Sequence, residues 1–248
     1  MNVHILNGDS LKEQFPSSLD GKIIVARECL VDGDVSGKTL PDLYNTRKTF
    51  LEKHYAIPPA EYASGTETEF KKIINLPGDA DVTLWFEDDL FCQVNLWFCA
   101  HLIHDYGNVE QVYLARPTTD VRYGFGGMNK KELSHAYQQR TEINDYNLAA
   151  LSLLWRSYQE QQWKKMLALA QNIWEDLPFV EKAVLANIER FPEDGSPGRP
   201  KRTLQTIVNE IGDEEFGPVF REFHKRESIY GYGDLQVKRL FDEIKAGD

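Results

Sequence analysis

Short apolar runs at residues 3–6, 22–26, 82–86 and 111–114 alternate with helical patterns through the first half of this 248-residue chain, and then stop. Each run is β-branched or apolar and is bounded by turn residues, which is the pattern of short buried strands. The segments between them, 10–15, 40–54, 67–74 and 89–106, carry helical spacing. Parallel strands need a long crossover, usually a helix, so this alternation points to βαβ units in one mostly parallel sheet. Crossovers are right-handed, which places helices on both faces. The segment 89–106 is apolar over most of its circumference, through Leu90, Phe91, Val94, Leu96, Trp97, Phe98, Leu102 and Ile103. Such a helix is central and buried, with Asp88 or Asp89 available as its cap.

Beyond Gly127 the strand signal disappears. Residues 128–191 read as helices at 130–141, 146–161, 163–174 and 178–190, the second with Leu151, Leu154, Trp155 and Tyr158 in one stripe. The stretch FPEDGSPGRPKR at 191–202 reads as a linker or exposed loop, and helical patterns at 203–211, 214–226 and 234–245 follow it. The expected fold is α/β. A mostly parallel, Rossmann-like sheet occupies 1–127 as a ligand-binding domain, a helical region occupies 128–191, and a small helix-turn-helix-like module occupies 192–248.

Composition narrows the partners. Apolar residues make up 42% of the chain and charged residues 27%, the balance of a globular protein, and the net charge is −11. An acidic surface opposes non-specific nucleic-acid binding and anionic membranes alike. The longest apolar run, 90–103, is too short to span a bilayer and includes Gln93, Asn95 and His101. Cys29, Cys92 and Cys99 form no CxxC, and their odd number reads as free thiols in a reducing compartment. With no charged leader or apolar signal core before the first strand, a cytoplasmic location is expected.

Ligands of an open parallel sheet bind outside the strand C-terminal ends, at the point where the strand order reverses. Here those ends read Gly8-Asp9-Ser10, Arg27-Glu28, Glu87-Asp88-Asp89 and Arg116-Pro117-Thr118-Thr119-Asp120, and every one carries charge. Carboxylates from several strands can hold a divalent cation, and an arginine can pair with a phosphate or carboxylate. The expected ligand contacts are Asp9, Ser10, Glu28, Asp88, Gln93 and Arg116, around a small anionic or nucleotide-like ligand. No spacing nominates a resident metal or cofactor. The structural alternative is that such turns are acidic for capping reasons, with Asp9 or Ser10 capping the first helix. Gly8-Asp9-Ser10-Leu11 also spells the nucleophile block of the GDSL hydrolases. A serine nucleophile needs a histidine base and an oxyanion element. None of the six histidines follows an Asp by three positions, and no GxND occurs. Asp9 and Ser10 therefore read as holding a ligand rather than attacking one.

Other clusters carry a chemical reading and a structural one. Tyr123-Gly124-Phe125-Gly126-Gly127 lacks GxGxxG spacing and a Walker lysine, and marks a turn where the sheet and helical parts meet. His101 and His104 are spaced to share a zinc ion, but no third ligand is nominated, and a dipole-favoured pair at a helix end is the simpler reading. Arg199-Pro200-Lys201-Arg202 would suit a DNA-binding helix-turn-helix. However, residues 180–248 hold 11 Lys and Arg against 14 Asp and Glu, a net of −3, so DNA is disfavoured by charge. Trp155, Trp163, Trp174, Tyr146 and Tyr158 lie at helical spacing beside leucines and read as core.

HILNGDS at 4–10, LWFEDDLFCQVNLW at 84–97 and YGYGDLQVKRLFDEI at 230–244 together resemble a bacterial family known as domain of unknown function 1835. The matching residues are His4, Gly8, Asp9, Ser10, Trp85, Gln93, Leu96, Gly233 and Asp234, and Arg47 corresponds to an arginine of the family pattern. The resemblance implies an N-terminal α/β domain and a helical C-terminal region, and it implies no activity. The functional expectation is a ligand-binding α/β protein, a hydrolase or transferase if it is an enzyme. The alternative is a transcription-related regulator or protein-interaction module acting through the C-terminal helices. The oligomeric state stays open.

Overall fold

In the computed structural model, which describes residues 1–118, 124–212 and 215–246, five strands form one sheet in the order β2-β1-β3-β4-β5. They are β1 Asn2–Leu6, β2 Lys22–Val25, β3 Asp81–Trp85, β4 Gln111–Ala115 and β5 Thr141–Glu142. The first four are parallel, with Leu6 of β1 level with Val25 on one side and with Trp85 on the other. β5 is a two-residue antiparallel edge that pairs Thr141 with Leu114. The mostly parallel sheet is the one expected, and β5 is the strand the pattern does not announce. Two exposed residues carry no alternation, so a helix was the natural reading of 130–141, whereas the helix ends at Gln138.

Side chains alternate across the strands with period two. Val3, Ile5, Val82, Leu84, Val112 and Leu114 belong to the larger core, and Leu6, Trp85 and Ala115 to a smaller one on the opposite face. The smaller core is closed by α1 Asp9–Gln14 and α6 Lys130–Gln138, through Leu11 and Leu133. His4 belongs here as a packed group. Trp85 Nε1 donates to its Nδ1 at 3.3 Å, its Nε2 lies 3.4 Å from Asp20 O, and burial lowers its pKa.

The larger face is covered by α2 Leu40–Tyr55, α3 Pro59–Tyr62, α4 Thr68–Ile74 and α5 Leu90–Tyr106. α5 is buried as its composition requires, and Asp89 caps it by accepting the Cys92 N–H at 3.0 Å. Along α5 lies α7 Asp145–Gln159, with the Trp155 ring 4.7 Å from that of Phe98. The chain continues through α8 Trp163–Asn172, α9 Phe179–Ile188, α10 Arg199–Ile211, α11 Phe216–Arg226 and α12 Asp234–Ala246, the last three packed on one another. α10 starts inside the stretch that reads as a linker, because Pro200 falls in the first turn, where its missing N–H costs nothing. Tyr146 and Trp174 are 62% and 53% exposed, which corrects their reading as core. Helical spacing places a side chain on a stripe, and only the packing partner decides whether that stripe is covered. A single hydrophobic cluster runs from Val3 to Phe241 through all three sequence segments. Among the described residues no helix is long and apolar enough to cross a membrane.

The loop 26–39 has no regular structure, yet Leu30, Val31 and Asp32 are buried. Buried backbone must find hydrogen-bond partners. Side chains from the surrounding helices and from the turn after α9 supply them. Asn95 donates to Glu28 O at 2.7 Å, Tyr158 to Leu30 O at 3.0 Å, Gln159 to Val35 O at 2.7 Å and Arg190 to Val31 O at 2.7 Å. Arg47 donates to the carbonyls of Asp32 and Asp34 at 2.7 and 3.0 Å.

Candidate functional site

The strand order reverses between β1 and β3, and the turns that leave these two strands meet there. Asn7 Nδ2 donates to Cys92 Sγ at 2.9 Å, while Asn7 Oδ1 accepts from Asn95 at 2.9 Å. Glu87 Oε1 accepts the Phe125 N–H at 2.9 Å, and Gln93 Nε2 donates to the Glu87 carbonyl at 2.7 Å. One donor atom each of Glu87, Asp89 and Cys92 lies within 4.8 Å of the other two. Burial raises the Glu87 carboxyl to about 7, and the charges of Asp89 and Asp88 add to the rise against the Phe125 hydrogen bond. Burial likewise raises Asp89 and Cys92. In this trio burial disfavours the charged form of every group. The trio offers three of the four protein or solvent donors that a zinc ion takes.

Two glycines admit this cluster. Gly124 and Gly231 have φ of +54° and +61°, and a Cβ at either would overlap the carboxylate of Glu87 or Asp89. The Gly124–Gly127 turn and the Tyr230-Gly231-Tyr232-Gly233 break thus lie directly against the two acids. Tyr123 lies outside the described residues. Gly231→Ala is expected to destabilise the fold by at least about 2 kcal/mol, from backbone strain plus overlap, measured as a fall in the thermal midpoint.

The six expected ligand contacts divide among several places. Asp9 is held by Arg27, whose Nε and Nη2 lie 2.6 and 2.8 Å from its two oxygens, and this pairing lowers its pKa. Ser10 is exposed in the first turn of α1, where Gly8 is the N-cap and no side chain caps the helix, so the capping alternative for Asp9 and Ser10 is corrected. Glu28 turns inward, to Arg47 Nε at 2.9 Å, Tyr62 Oη at 3.0 Å and the Cys29 N–H at 2.7 Å. Asp88 and Arg116 pair with each other through two hydrogen bonds, and the guanidinium lies 4.1 Å from the Phe179 ring centre. Gln93 is wholly buried on α5. The strand ends are therefore charged, but most of the charge is answered within the chain. Thr119 and Asp120 lie outside the described residues.

An open cleft of about 330 Å³ lies at the end of β2, with Arg27, Glu28 and Cys29 along one side. Leu51, Tyr55, Tyr62, Phe91 of α5, and Leu235 and Gln236 of α12 complete the lining. Ala63–Glu67, which also contributes to the lining, is a π-helical turn. Such bulges insert one extra residue per turn and recur at functional sites. This one directs the Gly65 carbonyl at Arg27 Nη1, 3.3 Å away, and the Thr66 hydroxyl at Arg27 O, 3.0 Å away. Burial pushes the Cys29 thiol up to about 12, so it is protonated and a poor nucleophile. The aromatic walls and the π turn escape sequence reasoning. Pro58-Pro59 and Ser64-Gly65 announce only a break there.

The histidine pair is corrected. His101 is buried with Nδ1 3.0 Å from Ser152 Oγ, and burial followed by Arg156 and His104 lowers its pKa to about 4. It is a neutral packed residue rather than a helix-end cation, and Asp105 is shared by His104 and Arg156. Comparison of the chain with protein-family models, with curated proteins and with solved structures gives no match.

Proposed function

We propose that the protein binds a small nucleotide-like molecule at the C-terminal edge of its sheet, with the ring of the ligand in the cleft at the end of β2. The observation that carries this reading is an open, aromatic-walled cleft at a strand C-terminal end, beside a π-helical turn. Tyr55 and Phe91 are the part-exposed aromatic rings of the lining, and Arg27 supplies donors. Asp9 and Glu28 then act by orienting Arg27 and Arg47, rather than by touching the ligand. An anion reaching Arg27 has to compete with Asp9, so the apolar walls contribute more of the affinity than charge does.

If the reaction is a hydrolysis or group transfer, Glu87 is the carboxyl suited to move a proton near neutral pH. A cytoplasmic location and membership of the domain-of-unknown-function-1835 family belong to the same proposal and add no activity to it. The alternative of a DNA-binding C-terminal module has less support. Arg199 is paired with Glu189 and Glu227, and Arg202 donates to Pro197 O at 2.6 Å.

Gly65→Phe tests the cleft. Gly65 lines the cleft and a Cβ there meets nothing within 4 Å, so a bulky side chain can be introduced at the cleft without backbone strain. In thermal-shift titrations with nucleosides and nucleotides, a bound ligand at a hundred times its Kd should stabilise the wild type by about 2.7 kcal/mol. The variant should keep its unliganded stability and lose that gain. A gain that survives in Gly65→Phe, or no gain from any member of the series, sinks the reading.

A further inference from the structure

Three charged side chains line the cleft at the end of β2: Arg27, Glu28 and Glu61. Two of them are answered within the chain. Arg27 holds Asp9 with Nε and Nη2, and Glu69 lies 3.6 Å from its Nη1. Glu28, the acid at the strand end itself, has a wholly buried side chain and meets Arg47 with both oxygens. Glu61, on α3, differs from both. It is exposed, and its carboxylate makes no hydrogen bond or ion pair among the described residues. α12 contributes Leu235 and Gln236 from its first turn, and a helix N-terminus attracts anions. That turn already contains Asp234, whose carboxylate accepts the Leu235 N–H at 2.9 Å. Of the charges that line the cleft, the one left unanswered is therefore negative.

We propose that the cleft selects a nucleoside over its phosphate esters, with Glu61 accepting the hydroxyl groups of the sugar and the base against Tyr55 and Phe91. This rests on the nucleotide-like reading of the cleft and narrows it to the uncharged members of that class. A ribose carries two adjacent hydroxyls, and an ionised carboxylate has two oxygens to accept from them. Hydrogen bonds to an ionised acceptor are roughly twice as strong as neutral ones. A free carboxylate repels a phosphate placed beside it. Arg27 offsets that repulsion only by giving up Asp9.

The four ribonucleosides, their 2′,3′-dideoxy forms and their 5′-monophosphates are the probes, titrated into the full chain at low ionic strength and followed by the thermal midpoint and by calorimetry. At least one ribonucleoside is expected to bind, with its monophosphate and its dideoxy form each weaker by about tenfold or more. Glu61→Gln should narrow the gap to the monophosphate to about threefold or less, with the circular dichroism unchanged, and Glu61→Lys should make the monophosphate the tighter ligand. Glu175→Lys makes the same charge change in the exposed turn after α8 and should keep the wild-type order. A monophosphate that binds wild type as tightly as its nucleoside does, and is lost in Gly65→Phe, overturns the selectivity and leaves the cleft reading standing. Wild-type selectivity in both Glu61 variants, or its loss in Glu175→Lys, overturns the role of Glu61. Binding by none of the compounds overturns the cleft reading and the selectivity together.

Discussion

Replacing Arg47 by methionine is expected to lower the free energy of unfolding by about 3–5 kcal/mol, read from the urea midpoint at unchanged slope. The side chains of Arg47 and Glu28 are both wholly buried. All of the guanidinium is in use: Nε and Nη2 on the two Glu28 oxygens at 2.9 and 3.0 Å, Nη1 on the carbonyls of Asp32 and Asp34, and Nη2 also on that of Cys29. Methionine fills most of the volume but leaves a buried carboxylate with only the Tyr62 hydroxyl and the Cys29 N–H. It also strips three loop carbonyls of a donor. Domains are stable by about 5–15 kcal/mol, so this is a large fraction of the total. Arg47→Lys recovers little, because an ammonium cannot form the same fork and reach the carbonyls. The exposed Lys238–Asp242 pair gives the contrast, since Lys238→Ala should cost less than about 1 kcal/mol. An Arg47→Met protein within about 1 kcal/mol of wild type would show that the buried network does not hold the loop.

Glu87→Gln is expected to stabilise the protein at about pH 8 and to leave it unchanged at about pH 4. In the folded chain the Glu87 carboxyl titrates near 7, against an ordinary value of 4.5. Between these values the folded state keeps a proton that the unfolded state has released. The contribution of this group to stability is therefore intact at low pH and falls as pH rises from about 4.5 to 7, with no further change above. The gap corresponds to at most about 3 kcal/mol. Glutamine carries no charge and retains an oxygen for the Phe125 N–H. The difference in stability between the two proteins, plotted against pH, should thus open across that window. A difference that does not vary with pH contradicts a raised Glu87.

The four parallel strands and α5 were legible because local patterning decides them. Alternation, turn residues and an all-apolar helix need no knowledge of what lies across the fold. β5, the π turn at 63–67 and the buried course of 26–39 depend on neighbours distant in the chain. The site shows the same division. The charged strand ends were readable at Asp9, Glu28, Asp88 and Arg116, but their pairing with Arg27, Arg47 and each other is set by tertiary distance. Glu87 stood beside Asp88 in the same turn. What separates them is that burial and the Phe125 N–H surround one, while Arg116 answers the other. Gly231 reaches Asp89 from 142 positions away, and no local pattern marks such an approach.

The loop between β2 and α2 sets an order of events during synthesis. The donors to Leu30, Val35 and Val31 come from residues 128, 124 and 159 positions later in the chain. Until those residues emerge, the loop carbonyls must stay hydrated, and water kept there keeps the larger face of the sheet from drying. Long-range closures of this kind are slow, and a nascent chain gains them last. The buried course of the loop is therefore complete only when Arg190 is in place. A nascent chain ending near Gly127 should bind hydrophobic dyes and chaperones, and should lose that property only once α12, which completes the same core, has cleared the exit tunnel.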